Sequence, residues 1–415
     1  MTELFSIPVY ILLFLTLYFE VFLIYTFFEH RQEFAIRPPK PRHPGKYPTV
    51  TIIVPAWNEE HTIKGTVDSL LALDYPKDRL KIFIIDDGST DRTFEVAKQF
   101  EPNPQIKVFT KPNGGKHTAM NLGILYSNTD LIGCLDADSY VAHDALKEII
   151  PYFDDKEVMA VTASVEIHKP ETLLQRIQST EYMIGVFTRK VFSRFNGLYV
   201  TPGPFSIFRK KIFDEIGGFV HGYGTEDMEM AMRMQHHRMK IENAHTAHVY
   251  TVSPRTPRAL YKQRVRWVSG FLKNAFFSYR HMFFTPKYGN LGMLTMPFAF
   301  GSIFIALFFS AEYVRTLFKT FKEKILVWEA VGFKFEPGMP HFDWFSLNLE
   351  FKRLLVYTLF FFTIFFMIYG ARLVMKKLHF SRNMVYFLLL YGLIAPFWLA
   401  KSLYNLITAK DATWR

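Results

Sequence analysis

Between Phe5 and Phe28 the chain carries one charged residue, Glu20. About 24 apolar residues in succession suffice for a helix to cross the ~30 Å hydrocarbon core of a bilayer. A signal peptide would need basic residues before the run and a small-residue cleavage site after it, and neither is found. Residues 1–30 are therefore expected to form a membrane-spanning helix. Basic residues follow it, at His30, Arg31, Arg37, Lys40 and Arg42, which assigns the following side to the cytoplasm by the positive-inside rule. Prolines 38, 39, 41, 44 and 48 make 31–48 a stiff linker rather than a helix.

The other apolar residues gather near the C-terminus, where 291–310, 354–373 and 384–407 read as three further spans within a membrane domain over 286–415. Arg372, Lys376, Lys377 and Arg382 make the loop between the last two cytoplasmic, which leaves 311–352 and the C-terminus external. The expected localisation is a cell membrane, with several spans and a cytoplasmic middle domain. The net charge of +11 is explained mainly by Lys and Arg flanking the spans. No basic stripe with interleaved aromatics marks the middle, so nucleic acid is not an expected partner. The lone cysteine, Cys134, excludes an intramolecular disulfide and a cysteine-cluster metal site.

The middle, 49–255, reads as α/β. Apolar runs at 50–54, 81–85, 105–109 and 131–135 alternate with amphipathic helical stretches, the pattern of a mostly parallel sheet flanked by helices. Asn58 is placed to cap the first helix, whose buried face carries Ile63, Val67, Leu70 and Leu71. Ligands in such sheets bind beyond the carboxyl ends of the strands, where Asp86-Asp87 and Asp136-Ala137-Asp138 both fall. On an extended segment, Asp136 and Asp138 point the same way. Paired carboxylates are hard oxygen ligands for a divalent cation that bridges to substrate phosphates; the plain alternative is a solvated acidic turn. Lys116, beside Gly114 and Gly115, can meet a phosphate.

Further along, Thr225-Glu226-Asp227 follows the glycine-bearing turn Gly222-Tyr223-Gly224. Asp227 there can act as a general base on a hydroxyl, and the same residues can equally cap a helix. Gln263-Arg264-Val265-Arg266-Trp267 lies in a basic amphipathic stretch, within 256–285, that suits a membrane interface. Arg266 can stabilise a leaving diphosphate and Trp267 can stack on a sugar ring; simple interfacial anchoring is the alternative.

Taken in order, VPAWNEE (54–60), DDGSTD (86–91), NGGKHTAMN (113–121), DAD (136–138), TED (225–227) and QRVRW (263–267) resemble the processive, membrane-integrated family 2 glycosyltransferases. That group makes cellulose, chitin oligosaccharides, hyaluronan and poly-N-acetylglucosamine. The resemblance covers roughly residues 48–275. It implies a GT-A nucleotide-sugar domain and an inverting, processive transfer from a UDP-sugar to a growing polysaccharide. Pro55, Ala56, Asn58 and Glu59 would line the donor site, with Asp86 and Asp87 on uracil and ribose and Lys116 on the diphosphate. Asp136 and Asp138 would bind nucleotide and metal, Mg2+ or Mn2+, with Asp138 the more direct ligand. Thr225, Glu226 and Asp227 would form the catalytic turn with Asp227 as base, and Gln263, Arg266 and Trp267 would shape the acceptor site. Thr201-Pro202-Gly203-Pro204 is similar to the acceptor-side loop. The sequence departs from many relatives at Val252, where an acidic residue commonly follows the Thr. One span before and three after the domain is most similar to the chitin-oligosaccharide and poly-N-acetylglucosamine synthases, hence UDP-N-acetylglucosamine as the expected donor. Accessory subunits are compatible with the resemblance. The competing reading is a non-processive enzyme that adds one sugar to a lipid. A transporter with a degenerate nucleotide site would need charged spans in repeated halves, and apart from Arg372 at the end of one span they carry only Glu20 and Lys401.

Overall fold

The computed structural model describes residues 6–34, 47–332 and 351–410. Most of the proline linker, the segment 333–350 and the last five residues lie outside the described residues. The middle of the chain folds around one eight-stranded sheet: β1 (Val50–Ala56), β2 (Leu80–Asp86), β3 (Ile106–Thr110), β4 (Leu131–Cys134), β5 (Ser139–Val141), β6 (Val158–Ile167), β7 (Ser206–Arg209) and β8 (Lys240–Thr251). Their spatial order is β3-β2-β1-β4-β7-β6-β8-β5. The first four strands run parallel, as the alternation of apolar runs and helices predicts. β7 runs antiparallel to both β4 and β6, and β5 runs antiparallel to β8, so the sheet is mixed beyond β4.

β1 is buried along its whole length because helices cover both faces of the sheet. Val50, Ile52, Val54 and Ala56 face one apolar layer and Ile53 the other, the period-2 alternation of a strand. Pro55 is tolerated in this central strand because β4 pairs with β1 only as far as Ile53. Its missing N–H therefore deprives no β4 partner.

The helix expected after Asn58 begins at Ile63 and buries Ile63, Val67 and Leu70, with Leu71 half-buried. Asn58 does not cap it. Its backbone is left-handed, φ 55°, and its side chain accepts from Thr90 N–H at 2.8 Å. The side chain thus ties two loops together instead of closing the helix end.

Among the described residues, four helices are long and apolar enough to cross a membrane: Ser6–Glu29, Met296–Val331, Phe351–Met375 and Arg382–Ile407. The second does not stop near residue 310. Beyond Gly301 no glycine or proline interrupts the sequence until Gly332, whose φ of +79° ends the helix. Its 36 residues span about 54 Å at ~1.5 Å per residue, well beyond a bilayer core.

The helix Leu173–Arg194 joins the sheet to these helices. Thr172 caps its start, accepting from Gln175 N–H at 3.2 Å. Phe187 packs among Phe27, Phe34 and Phe366, while Phe19 stacks on Phe298 with centroids 3.6 Å apart. Gly370, on Phe351–Met375, lies so near this helix that an added Cβ would sit 2.6 Å from the carbonyl oxygen of Met183. Backbone cannot yield there as a side chain would. Gly370→Val is expected to lower stability by about 1–3 kcal/mol, the usual cost of overpacking, seen as a lower midpoint in thermal unfolding of detergent-solubilised protein.

Candidate active site

β4 delivers the acidic triplet to the C-terminal edge of the parallel strands. The triplet lies in the turn between β4 and β5 and is not extended, so the two carboxylates take different partners. Asp136 pairs with the Lys116 ammonium at 2.5 Å. Asp138 accepts from the Ser139 hydroxyl at 3.1 Å. Burial, then the charges of Asp136 and Glu59, push its carboxyl up to about 7.

Lys116 opens the helix Lys116–Tyr126 after the glycine loop, and Gly115 takes φ +90° to make the entry. Its ammonium also reaches Glu226 at 3.1 Å. Burial alone would lower the ammonium, but Asp136, then Glu226 and Asp227, outweigh it and hold it above its ordinary value. Burial likewise opposes ionisation of Glu226, yet Lys116 prevails and keeps that carboxyl low. Asp227 behaves oppositely: burial and the Glu226 charge push it up to about 6. Its Oδ1 accepts from Met228 N–H at 2.8 Å and its Oδ2 from Gly203 N–H at 3.3 Å, which fixes the carboxyl plane. A Cβ at Gly203 would stand 2.6 Å from the Lys116 ammonium and 2.8 Å from Asp136 Oδ1. The Thr201–Pro204 loop thus approaches the charge cluster closely enough to require glycine.

Asp86 and Asp87, both buried at the end of β2, organise the loops that flank the cluster. Asp86 accepts from Ser89 N–H (3.3 Å) and the Thr110 hydroxyl (2.9 Å). Asp87 accepts from Lys111 Nζ (2.5 Å), Gly114 N–H (3.1 Å) and Gly115 N–H (2.8 Å), and its own N–H donates to the Ala56 carbonyl at 2.8 Å. Pro55 and Ala56 enter this edge as buried strand residues of β1. Glu59 is held by Thr62, whose hydroxyl donates to its Oε2 at 2.7 Å. Lys111 belongs to none of the sequence motifs, although its position at the end of β3, just before the glycine loop, is a signal that could have found it.

Tyr223 (φ 54°) lies in the left-handed region between Gly222 (φ 53°) and Gly224 (φ 80°), and this turn throws Glu226 and Asp227 onto the first turn of the helix Glu226–His236. Thr225 stands at the N-cap position without making a capping bond; its hydroxyl donates to the Gly222 carbonyl at 2.8 Å instead. The QRVRW helix, Pro257–Lys273, packs directly on this turn. An added Cβ at Gly270 would sit 2.4 Å from Thr225 Oγ1. Arg266 donates to the Gly224 carbonyl at 3.0 Å, and its charge adds to the pull of Lys116 on Glu226 while only partly offsetting the rise of Asp227. Asn274, which lies outside every motif, donates through Nδ2 to the Gly222 carbonyl (2.8 Å), Thr225 Oγ1 (3.1 Å) and the Gly270 carbonyl (3.0 Å). Trp267 is half-buried, with the Arg264 guanidinium over its ring at 4.4 Å; Arg264 pairs in turn with Glu181 at 2.7 Å. Gln263 is partly buried, and its Oε1 accepts no hydrogen bond from the described residues.

Asp136 is paired with Lys116, which leaves the half-buried carboxylate of Asp138, with Glu59 near it, as the one that could take a cation. Among the described residues no three His, Cys, Asp or Glu side chains gather to hold a metal. A hard cation at Asp138 would need further oxygens from a phosphate and water, the usual habit of Mg2+.

Residues 51–217 match the family described as glycosyl transferase family 2. The chain carries a family 2 glycosyltransferase domain. Residues 194–254 match a second description, N-terminal domain of galactosyltransferase, so the matched stretches overlap and reach from β1 to β8. The poly-beta-1,6-N-acetyl-D-glucosamine synthase of Staphylococcus aureus is 31% identical over 261 residues, 62% of this chain and 63% of that protein. The enzyme of the same name from Staphylococcus epidermidis is 31% identical over 263 residues, 62% of this chain and 63% of that protein. The match thus spans somewhat less than two thirds of these relatives' length. Among solved structures, a mannosyltransferase from Pyrobaculum calidifontis in complex with GDP-Man and Mn2+ superposes with a TM-score of 0.57 at 17% identity, covering 96% of this chain and all of that one. The fold is GT-A-like.

In this glycosyltransferase domain the carboxylate pair of the TED turn is oriented from the QRVRW helix through Asn274 rather than by helix capping. Asn274→Ala is expected to cut turnover roughly tenfold or more, since small misplacements of a reacting group are expensive, while nucleotide affinity stays near wild type. Equal losses in turnover and in nucleotide affinity would contradict a positioning role.

Proposed function

We propose that the protein is an inverting, processive glycosyltransferase that moves sugar from a UDP-sugar, UDP-N-acetylglucosamine first among them, onto a growing polysaccharide at the cytoplasmic face of a membrane. The observation that carries the reading is the close cluster of Lys116, Asp136, Asp138, Glu226 and Asp227, in which Asp227 is fixed by two backbone N–H groups and held at about 6. A carboxyl in that range is ionised at neutral pH yet basic enough to accept a proton. The 31% identity to poly-beta-1,6-N-acetyl-D-glucosamine synthases supports the polymer and the amino sugar. On this reading 49–255 is the catalytic unit, 256–285 its interfacial collar and 286–415 the membrane part.

Asp227 takes the proton of an acceptor hydroxyl while the hydroxyl oxygen attacks the anomeric carbon. The new carbon–oxygen bond forms as the bond from that carbon to the diphosphate breaks, and the electron pair leaves with UDP. Attack opposite the leaving group inverts the anomeric centre. Lys116, charged throughout the working range, and Arg266 lie where they can balance the negative charge growing on the diphosphate. Asp86 and Asp87 form the nucleoside end of the site, with Pro55, Ala56, Asn58 and Glu59 behind them. Trp267 and Gln263 face the acceptor. A Mg2+ or Mn2+ ion at Asp138, with Asp136 beside it, would supply added charge neutralisation for the diphosphate; the half-buried carboxylate and its hard oxygen donors fit such an ion. The solved mannosyltransferase of like fold was captured with Mn2+ and GDP-Man.

The test is release of UDP from a panel of UDP-sugars by purified protein with Mg2+ or Mn2+, and sizing of the product. Release from UDP-N-acetylglucosamine with a long product supports the reading; one sugar on a lipid would replace it with the non-processive reading. Asp227→Asn is expected to abolish transfer. It should also raise the thermal midpoint by roughly a few degrees. The sign follows from its pKa: a carboxyl held above its unfolded value, near 4, binds its proton more tightly when folded, so keeping it ionised at pH 7 costs stability.

The pH dependence has a definite direction. Asp227 must lose its proton to act, so kcat/KM should climb through pH 6. Asp138 must lose its proton to hold a cation, so more metal should be needed as pH falls below 7. A rate independent of pH between 5 and 7 at saturating metal would rule out Asp227 as the base.

A further inference from the structure

The far end of the helix Glu226–His236 bears a group of side chains that sugar transfer does not use. His236 Nδ1 lies 3.0 Å from His281 Nε2 and 3.2 Å from the Tyr288 hydroxyl. His281 and Tyr288 come from two short turns, Arg280–Met282 and Pro286–Tyr288, that follow the QRVRW helix. The His281 ring stands nearly perpendicular to that of His236 (89°, centroids 4.9 Å apart), and the Tyr288 ring lies closer to parallel with it (29°, 5.8 Å). An imidazole nitrogen carries either a proton or a lone pair. His236 Nδ1 therefore serves one of its two neighbours well and not both.

We propose that His236, His281 and Tyr288 bind a divalent transition ion of the borderline class that takes ligands at right angles, Ni2+ or Cu2+, at a site separate from the acidic cluster. Two imidazole nitrogens about 2.1 Å from one ion and at right angles to each other stand about 3.0 Å apart, which is the spacing found. Such an ion would take the two imidazole nitrogens, with the Tyr288 hydroxyl, 3.2 Å from His236 Nδ1, as the oxygen donor beside them. Imidazole prefers these metals, whereas the oxygen set at Asp138 prefers Mg2+ or Mn2+. His236 ends an 11-residue helix, whose C-terminal dipole favours a cation. Lys287 opposes the ion, and its ammonium stands 5.6 Å from the centroid of the Tyr288 ring. Bound there, the ion staples the segment 280–288 to the helix that begins with Glu226 and Asp227, reinforcing the bond that Tyr279 already makes to Glu229 at 2.8 Å.

The experiment is calorimetric titration of chelator-treated, full-length protein in detergent, carrying no histidine tag, with Ni2+ in a millimolar background of Mg2+ that keeps the acidic site supplied. One Ni2+ per chain with micromolar affinity is expected. His281→Ala and His236→Gln should each weaken it by about tenfold or more, as loss of a ligand or of its support does, and Tyr288→Phe should weaken it less. Ni2+ should raise the thermal midpoint of the wild type and leave that of His281→Ala unmoved, while the two proteins unfold alike without metal. The same titration in wild type and His281→Ala, or no uptake by the wild type, overturns the proposal.

Discussion

The Lys116 ammonium rests between Asp136 and Glu226, carboxylates brought from the end of β4 and from the start of the helix Glu226–His236. Each element of the site is set by reference to it. The glycine loop gives Lys116 its entry angle, and Gly203 packs close enough that any side chain would collide with the pair. Removing the ammonium would leave Asp136, Glu226 and Asp227 facing one another in a buried space, where unpaired charge is heavily penalised. The pairing also divides the two acids of the TED turn. Glu226 is held ionised by its direct contact, and Asp227 is left one step removed, at a proton affinity suited to exchange.

The same turn is fastened to the membrane side of the protein. Asn274 and Arg266 bond to its backbone carbonyls, and Gly270 lets the QRVRW helix approach it. That helix is fastened in turn to Arg382–Ile407, through Ser402 to the Val265 carbonyl and Asn405 to Ser269, while Lys273 reaches the Lys410 carbonyl. A second line runs from Tyr391 through Glu181 to Arg264, which lies over Trp267. The TED turn, the QRVRW helix and the last apolar helix are therefore joined by a continuous chain of hydrogen bonds.

On the opposite flank, Asp87 gathers Lys111 and two glycine N–H groups. Those are the groups a phosphate would also seek, so the loop is held in shape by an internal anion near the place where a nucleotide diphosphate is proposed to lie. The GT-A-like fold is shared with the Pyrobaculum calidifontis mannosyltransferase at 17% identity.

Elements with strong local signals are legible from the residues alone. The parallel strands β1 to β4 stand out as apolar runs, the four long apolar helices as runs too hydrophobic for a soluble chain, and the acidic and basic motifs by their order. Asp86, Asp87, Asp136 and Asp138 likewise fall at strand ends, because alternating strands and helices leave few other arrangements. What those residues touch is a property of the packed chain. Asn58 becomes a loop tie instead of a cap, Thr225 turns from the helix end toward Gly222, and the helix that starts at Met296 runs on to Gly332, where a positive φ ends it. Asn274 and the His236–His281 pair carry no local pattern, since each gains its role from a partner distant in sequence. Periodicity reports which face of an element is buried. The pairing of charges across elements depends on distances that only packing sets, and so does the difference between Glu226 and Asp227, adjacent acids made unlike by a single ammonium.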